Sequence, residues 1–170
     1  MNDSTNKRKM EHIDIVMNDS GADRDKKYWD DIQLVNRALP QINLDDIDTS
    51  VYFLRKRCSF PLIISSMTGG EHDHLETINQ NLAIAAEATN VALAVGSQRV
   101  MFTAKNAKKS FKLRRSAPTA PLIANLGGVQ LNYGFDENHC RQAVDILKAD
   151  ALYLHLNPLQ EAFKYGQTAA

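Results

Sequence analysis

Four short apolar runs recur along the chain at a constant interval. They are PLIISS (61–66), VALAV (91–95), PLIAN (121–125) and ALYLHL (151–156), and their centres at positions 63, 93, 123 and 153 are evenly spaced. Continuous apolar runs of this length, bounded by turn residues, are typical of strands that are buried on both faces, as in a parallel sheet. The pattern therefore predicts four parallel strands.

Helical periodicity fills the intervals between these runs. Apolar side chains step by threes and fours over 75–89 and 137–148, and residues 103–116 are predicted to form a third, strongly basic helix. Asp73 and Asp136 precede the first and last of these helices as predicted N-caps. Strand–helix units joined by short loops indicate βα repetition with right-handed crossovers. An open doubly wound sheet and a (β/α)₈ barrel both fit, and the constant spacing favours the barrel.

The first sixty residues do not follow this repeat. Over 1–60 we predict a polar N-terminal flap, a short helix within 26–40 and a hairpin within 46–60 that closes the bottom of the barrel. Residues 61–170 are then predicted to be the first half of the barrel.

Composition narrows the classes of function. Twenty basic residues balance twenty acidic ones, so the chain has no overall electrostatic preference for nucleic acid or membrane. No apolar run approaches the roughly 18 residues that span a bilayer, and the N-terminus lacks the apolar region of a secretory signal. Cys58 and Cys140 are isolated, which indicates reduced thiols in a cytoplasmic protein. Any anion site must therefore be built locally.

Polar residues and glycines follow every apolar run, at the strand ends where parallel α/β proteins bind their ligands. Glycines let a backbone approach a flat cofactor or a phosphate closely, and Arg99 and His155 are suited to a diphosphate. Glu161 is a hard oxygen ligand of the kind that Mg²⁺ prefers. The segments are SMTGG (66–70), GSQR (96–99), NLGG (125–128) and HLNPLQE (155–161). One such loop alone would indicate a tight turn, but the four together favour a binding site.

These segments carry a family resemblance. RKMEHI near the N-terminus, SSMTGG, INQNLA, VGSQR, NLGG and LHLNPLQE occur in the order and spacing of the type 2 isopentenyl-diphosphate isomerases, over about residues 8–162. The resemblance implies an α/β fold, a TIM (β/α)₈ barrel, of which the chain holds the N-terminal segment and about four βα units. It also implies interconversion of isopentenyl and dimethylallyl diphosphate with reduced FMN, Mg²⁺ and NADPH as the reductant, and a homo-oligomer at full length.

The resemblance further implies roles for particular residues. Gln160, near the reacting carbons, is the implied catalytic residue, and Glu161 is the implied Mg²⁺ ligand. The implied flavin contacts are Ser66, Met67, Thr68, Ser97 and Asn125. The implied substrate contacts are Arg8, Lys9, Ser97, Gln98, Arg99, His155, Asn157 and Gln160.

Length sets a further expectation. A complete (β/α)₈ barrel typically needs about 250 residues, and its phosphate site commonly follows strands 7 and 8. On this interpretation the chain stops just after the fourth strand. We expect the isolated chain to bind flavin weakly and to be inactive or nearly so, unless a separate C-terminal half complements it.

Other interpretations stay open at this point. The chain could belong to another FMN-dependent barrel oxidoreductase, or be a non-catalytic half-barrel fragment. Residues 71–74, EHDH, have a His-x-His spacing that can chelate a metal, although a solvated loop is favoured because no Cys or third His is nearby and Asp73 is the predicted helix cap. The basic segment 103–116 has one aromatic residue, Phe111, so an outer helix is favoured over a nucleic-acid surface.

Overall fold

Short strands and helices alternate along the part of the chain that the structure describes. The structure, a computed structural model, describes residues 11, 13–22 and 28–157. The strands are β1 (Val51–Phe53), β2 (Lys56–Cys58), β3 (Ile63–Ile64), β4 (Ala92–Ala94), β5 (Leu122–Gly127) and β6 (Ala151–His155). The helices are α1 (Asp73–Thr89), α2 (Val100–Thr103) and α3 (Glu137–Leu147), residues 13–18 are also helical, and 3-10 helices include Lys105–Phe111 and Gly128–Tyr133. None of the helices in these ranges is both long and apolar enough to cross a bilayer.

A four-stranded parallel sheet with the order β3-β4-β5-β6 organises the molecule. The longest ladder joins β5 to β6, from the pair Ile123–Ala151 to the pair Gly127–His155. Each strand lies within one of the four apolar runs or overlaps it, so the predicted strands are present and parallel. Their carboxyl ends consequently lie along the same edge of the sheet.

The sheet is open, and the predicted TIM barrel is wrong for the described residues. Within these residues β3 and β6 each pair on one side only. Ile63 of β3 and Tyr153 of β6 are 37% and 38% exposed, whereas Leu93 and Ile123 of the inner strands are 2% and 0% exposed. A small barrel closes with about eight strands. The observed fold is a small α/β structure with a four-stranded parallel sheet and a separate two-stranded antiparallel sheet.

One face of the parallel sheet carries the hydrophobic core. Successive side chains of a strand point to opposite faces, and Leu93, Leu122 and Ala124 belong to the buried cluster that also contains Ala86 of α1 and Leu147 of α3. Full burial of a leucine side chain contributes about 1.5–3 kcal/mol. The helices therefore cover this face and leave the other face of β5, which carries Asn125, separate from the main core.

The hairpin predicted within 46–60 is confirmed as the antiparallel pair β1–β2. Lys56 anchors it through an ion pair with Asp150, at 2.8 Å, and Arg114 Nη2 donates to the same carboxylate at 2.9 Å. The backbone N–H of Leu122 also donates to Asp150, at 2.8 Å. Since Asp150 directly precedes β6, this junction lies at the amino ends of the strands.

One predicted helix cap is corrected and the other is confirmed. The N-cap of α1 is His72, whose Nδ1 accepts the His74 backbone N–H at 3.1 Å, while Asp73 is already the first helical residue. The N-cap of α3 is Asp136, as predicted, and His139 completes a capping box with it.

Two predicted helices are wrong in extent or type. The segment 103–116 is not one helix, because α2 ends at Thr103 and a 3-10 helix follows at Lys105–Phe111. Within 26–40 the described helical structure is the short 3-10 helix Tyr28–Asp31. Val35 is 90% exposed, so no packed surface supports a longer helix there.

Candidate functional site

Hydrogen bonds join the loops that follow the parallel strands into one continuous edge. The Gly96 N–H donates to the Thr68 carbonyl at 2.8 Å, and the Gln98 N–H donates to the Asn125 carbonyl, also at 2.8 Å. Gly127 and His155 are register partners at the ends of β5 and β6. We call this the C-terminal edge; it comprises residues 66–70, 96–99, 125–130 and 155–157.

The C-terminal edge brings together most of the predicted site residues. The implied flavin contacts on it are Ser66, Met67, Thr68, Ser97 and Asn125, and the implied substrate contacts on it are Ser97, Gln98, Arg99, His155 and Asn157. Their roles stay predictions, since the structure shows only their position. Arg8, Lys9, Gln160 and Glu161 lie outside the described residues.

Gly96 allows the loop after β4 to approach the loop after β3. A Cβ at this position would lie 2.5 Å from the Thr68 carbonyl oxygen and 2.6 Å from the Met67 carbonyl oxygen. Both neighbours are backbone atoms, which cannot rotate away as a side chain can. The sequence indicated a close approach at this glycine, and the group that approaches is the protein's own backbone.

Thr68 is engaged by a buried polar network behind the edge. Its hydroxyl pairs with Asn79 Oδ1, and Asn79 Nδ2 in turn donates to the Ser110 carbonyl at 2.9 Å. The Ser110 hydroxyl accepts the Gly70 N–H at 3.2 Å. The side chain of Thr68 therefore holds its loop against the helical layer, rather than standing ready as the free hydrogen-bonding group that the sequence suggested.

Gln98 is buried completely, and its side chain bridges two elements. Its Nε2 donates to the Ala143 carbonyl of α3 at 2.9 Å, and its Oε1 accepts the Asn125 N–H at 3.1 Å. The amide thus ties β5 to α3 at the point where β5 meets the edge. Sequence reasoning placed Gln98 correctly but could not show that its side chain is occupied within the protein.

Two other side-chain amides at the edge are buried without such bonds. Asn125 is 5% exposed and Gln130 is 6% exposed, and among the described residues neither side-chain amide has a hydrogen-bond partner. A buried polar group left unsatisfied costs about 1–3 kcal/mol. Proteins rarely keep such groups unless water or a ligand completes them. The pair is therefore the strongest structural sign of a ligand at this edge.

The edge also carries groups suited to an anion. Arg99 is half-buried at the end of the β4 loop, and its guanidinium group can bind a phosphate in a bidentate manner. His155 and Asn157 are exposed at the end of β6. The neutral amides of Asn125 on β5 and Gln130 on the 3-10 helix after it, together with the cationic Arg99, give the edge two different binding chemistries.

The described residues contain no cluster of three or more side chains that could hold a metal ion. In the EHDH segment, His72 Nδ1 already accepts a backbone N–H as the helix cap. The segment is not a loop throughout, because Asp73 and His74 already belong to the first turn of α1. Glu161, the predicted Mg²⁺ ligand, lies outside the described residues.

A cavity of about 660 Å³ lies away from the C-terminal edge. Its lining includes Lys109, Lys112 and Arg115 of the basic segment. Arg114, also in the lining, donates to the Lys148 carbonyl at 2.7 Å, just before β6 begins. The cavity therefore lies against the helical layer, between α1, the basic segment and the end of α3, and no described residue of the C-terminal edge lines it.

Parallel strands whose carboxyl ends present polar side chains define an α/β protein of the class that commonly binds its ligands at that edge. In sequence the chain is similar to proteins named isopentenyl-diphosphate delta-isomerase. Identity with the protein of Paracoccus zeaxanthinifaciens is 54% over 155 residues, and these residues cover 91% of this chain and 44% of the relative. Identity with the protein of Hydrogenovibrio crunogenus is 53% over 157 residues, which cover 92% of this chain and 46% of the relative. Identity with the protein of Oceanobacillus iheyensis is 44% over 168 residues, which cover 98% of this chain and 48% of the relative.

The chain spans about half the length of the curated relatives it matches. No protein-family model matches it. The assignment to the type 2, FMN-dependent subclass is corrected, because the relatives' names carry no subclass and the described residues do not form the barrel that this subclass implied. What stands is similarity to isopentenyl-diphosphate delta-isomerases.

Proposed function

We propose that the protein containing this chain interconverts isopentenyl diphosphate and dimethylallyl diphosphate. The observation that carries the proposal is the similarity to relatives named for this activity, at 44% to 54% identity over 91% to 98% of the chain. The C-terminal edge supports it, because cationic and neutral polar groups meet there on one scaffold. The activity is proposed for the whole protein and not for these residues alone.

The chemistry requires a proton to be added at one carbon of the alkene and another to be removed, with no net oxidation. On this proposal Arg99 and His155 bind the diphosphate, since charge-assisted hydrogen bonds hold phosphate oxygens strongly. Gln160 is proposed to lie near the reacting carbons.

The cofactor is a separate proposal that rests on the chemistry of the edge and not on a subclass. The neutral groups of Ser66, Ser97 and Asn125 fit the rim of a flavin, and the unsatisfied amide of Asn125 is the observation in favour. Reduced FMN, when bound, supplies acid/base and electron-rich chemistry, and NADPH is proposed to reduce it. Mg²⁺ is proposed to be held by Glu161 together with the substrate phosphates.

A chimera tests the proposed activity. The matched segment of the Paracoccus relative is replaced by this chain, and conversion of isopentenyl diphosphate is measured with FMN, NADPH and Mg²⁺. We expect turnover within about tenfold of the parent relative, equivalent to about 1.4 kcal/mol in the activation barrier. A chimera that folds like its parent but forms no dimethylallyl diphosphate would contradict the proposal.

Two substitutions in that chimera test the assigned roles. Gln160→Asn is expected to lower kcat about tenfold, because shortening the side chain removes a hydrogen bond near the reacting carbons. Glu161→Gln is expected to raise the Mg²⁺ concentration for half-maximal rate at least about tenfold, since a neutral amide binds the cation poorly. Unchanged kcat and unchanged Mg²⁺ dependence would remove both assignments.

A further inference from the structure

We propose that Gln130 is a further ligand-contacting residue of the C-terminal edge. Its side-chain amide and that of Asn125 are inferred to hydrogen-bond one flat, neutral heterocycle, for which the flavin ring is the test case. The inference rests on the cofactor part of the proposed function and goes beyond it, because no sequence motif singled out Gln130.

The position of Gln130 follows from the geometry of β5. Asn125 and Gly127 are two residues apart on the strand, so they face the same side of the sheet. A Cβ at Gly127 would lie 3.8 Å from Gln130 Cγ and 4.0 Å from Gln130 Nε2. The amide of Gln130 therefore lies over Gly127, on the face that also carries the side chain of Asn125.

This face is distinct from the one that packs against the helices. Leu122, Ala124 and Leu126 belong to the main core cluster, and Asn125 alternates with them along β5 and so faces the opposite side. Two buried and unpaired amides thus share one face at the end of one strand, within the described part of the chain. Because both amides lie on the same face and neither has a hydrogen-bond partner there, we infer that one ligand contacts both.

The chemistry of the two amides defines the occupant. Each presents one acceptor and two donors without a charge, which matches the alternating carbonyl and ring N–H groups of a heterocycle. A diphosphate instead favours cationic partners, and on this edge these are Arg99 and His155. We therefore infer that Asn125 and Gln130, at the end of β5, bind the heterocycle, and that Arg99 and His155, at the ends of the neighbouring strands, bind the phosphate groups.

Gln98 offers a matched comparison for the experiment. It is a second buried glutamine at the same edge, but its amide is fully engaged with Ala143 and Asn125. Methionine is close to glutamine in shape and has no amide. Replacing the engaged amide removes hydrogen bonds within the protein, whereas replacing the unpaired one removes none.

The test compares Gln130→Met and Gln98→Met with the unsubstituted 170-residue chain. Thermal unfolding is recorded without ligand, and FMN is titrated by fluorescence quenching. Gln130→Met is expected to leave Tm unchanged or raised and to increase the Kd for FMN about tenfold. Gln98→Met is expected to lower Tm by several degrees.

The outcomes separate this inference from the proposal on which it rests. Equal FMN affinity in the unsubstituted chain and Gln130→Met would overturn the role of Gln130 and leave the cofactor proposal intact. A fall in Tm for Gln130→Met as large as that for Gln98→Met would also overturn it, because the amide would then be engaged within the protein. No quenching by the unsubstituted chain at millimolar FMN would overturn the cofactor proposal, and this inference with it.

Discussion

Replacing Gly96 with alanine is expected to lower the free energy of unfolding by about 3 kcal/mol or more, at the upper end of the cost of overpacking. The added Cβ would lie 2.5 Å from the Thr68 carbonyl oxygen, far inside van der Waals contact. Relief would require the two loops to separate, which breaks the hydrogen bond from the Gly96 N–H to that same carbonyl. Urea unfolding followed by circular dichroism measures the loss.

Gly127→Ala is the matched control, since it adds the same methyl group at the same edge. Gly127 has a φ of −68°, which any residue adopts, and a Cβ there would meet its nearest neighbours at 3.8 Å, an ordinary contact. We expect a change within about 0.5 kcal/mol. If the two variants lost similar amounts of unfolding free energy, the close backbone contact at Gly96 would not be the cause of the loss, which would contradict this prediction.

The second large effect is expected from Asp150→Ala, which removes the acceptor shared by Lys56, Arg114 and the Leu122 N–H. The side chain of Asp150 is only 21% exposed, and its loss leaves two partly buried cations unpaired. We expect the free energy of unfolding to fall by about 3 kcal/mol. Asp48→Ala is the control, because the Asp48–Arg57 pair is mostly exposed and such pairs contribute about 1 kcal/mol or less.

The same carboxylate gives this prediction a pH dependence. Burial by itself raises the pKa of Asp150, but hydrogen bonds from Lys56, Leu122 and Arg114 outweigh burial and lower the pKa below its usual 3.8. A lowered folded-state pKa adds stability that is complete above the unfolded-state pKa and is lost as the pH falls through the folded value. The stability gap between the parent chain and Asp150→Ala should therefore close below about pH 4. A gap of constant size from pH 7 to pH 3 would contradict this assignment.

The strands were predictable from sequence because each is a short apolar run at a regular spacing, and local composition is sufficient to identify such runs. Closure into a barrel was not predictable in the same way, since it depends on which strands pair at the two edges. Ile63 and Tyr153 have the same apolar character in sequence as the buried Ile123, yet both lie on edge strands and are exposed. The basic segment 103–116 was predicted as one helix because local composition does not distinguish an α-helix from the short α-helix and 3-10 helix that form there.

The meeting of the predicted site residues at one edge was predictable, whereas the engagement of their side chains was not. The rule that ligands bind at the carboxyl ends of parallel strands placed Ser97, Asn125 and His155 on one edge. No sequence pattern shows that the side chains of Thr68 and Gln98 are occupied by the protein itself, because their partners are distant in sequence. Gln130 was missed since it lies beyond the NLGG segment; its place shortly after a glycine pair at a strand end was the available signal.

Chemical-shift mapping of the 170-residue chain tests most directly whether the C-terminal edge is one ligand site. Isotope-labelled chain is titrated with FMN and, separately, with isopentenyl diphosphate, and the backbone amide signals are followed. Thr68, Ser97, Asn125 and His155 are predicted to shift together while Lys112 and Arg115, around the distant basic cavity, stay unchanged. Shifts confined to the basic cavity, or none at the four edge residues with either ligand, would contradict the account.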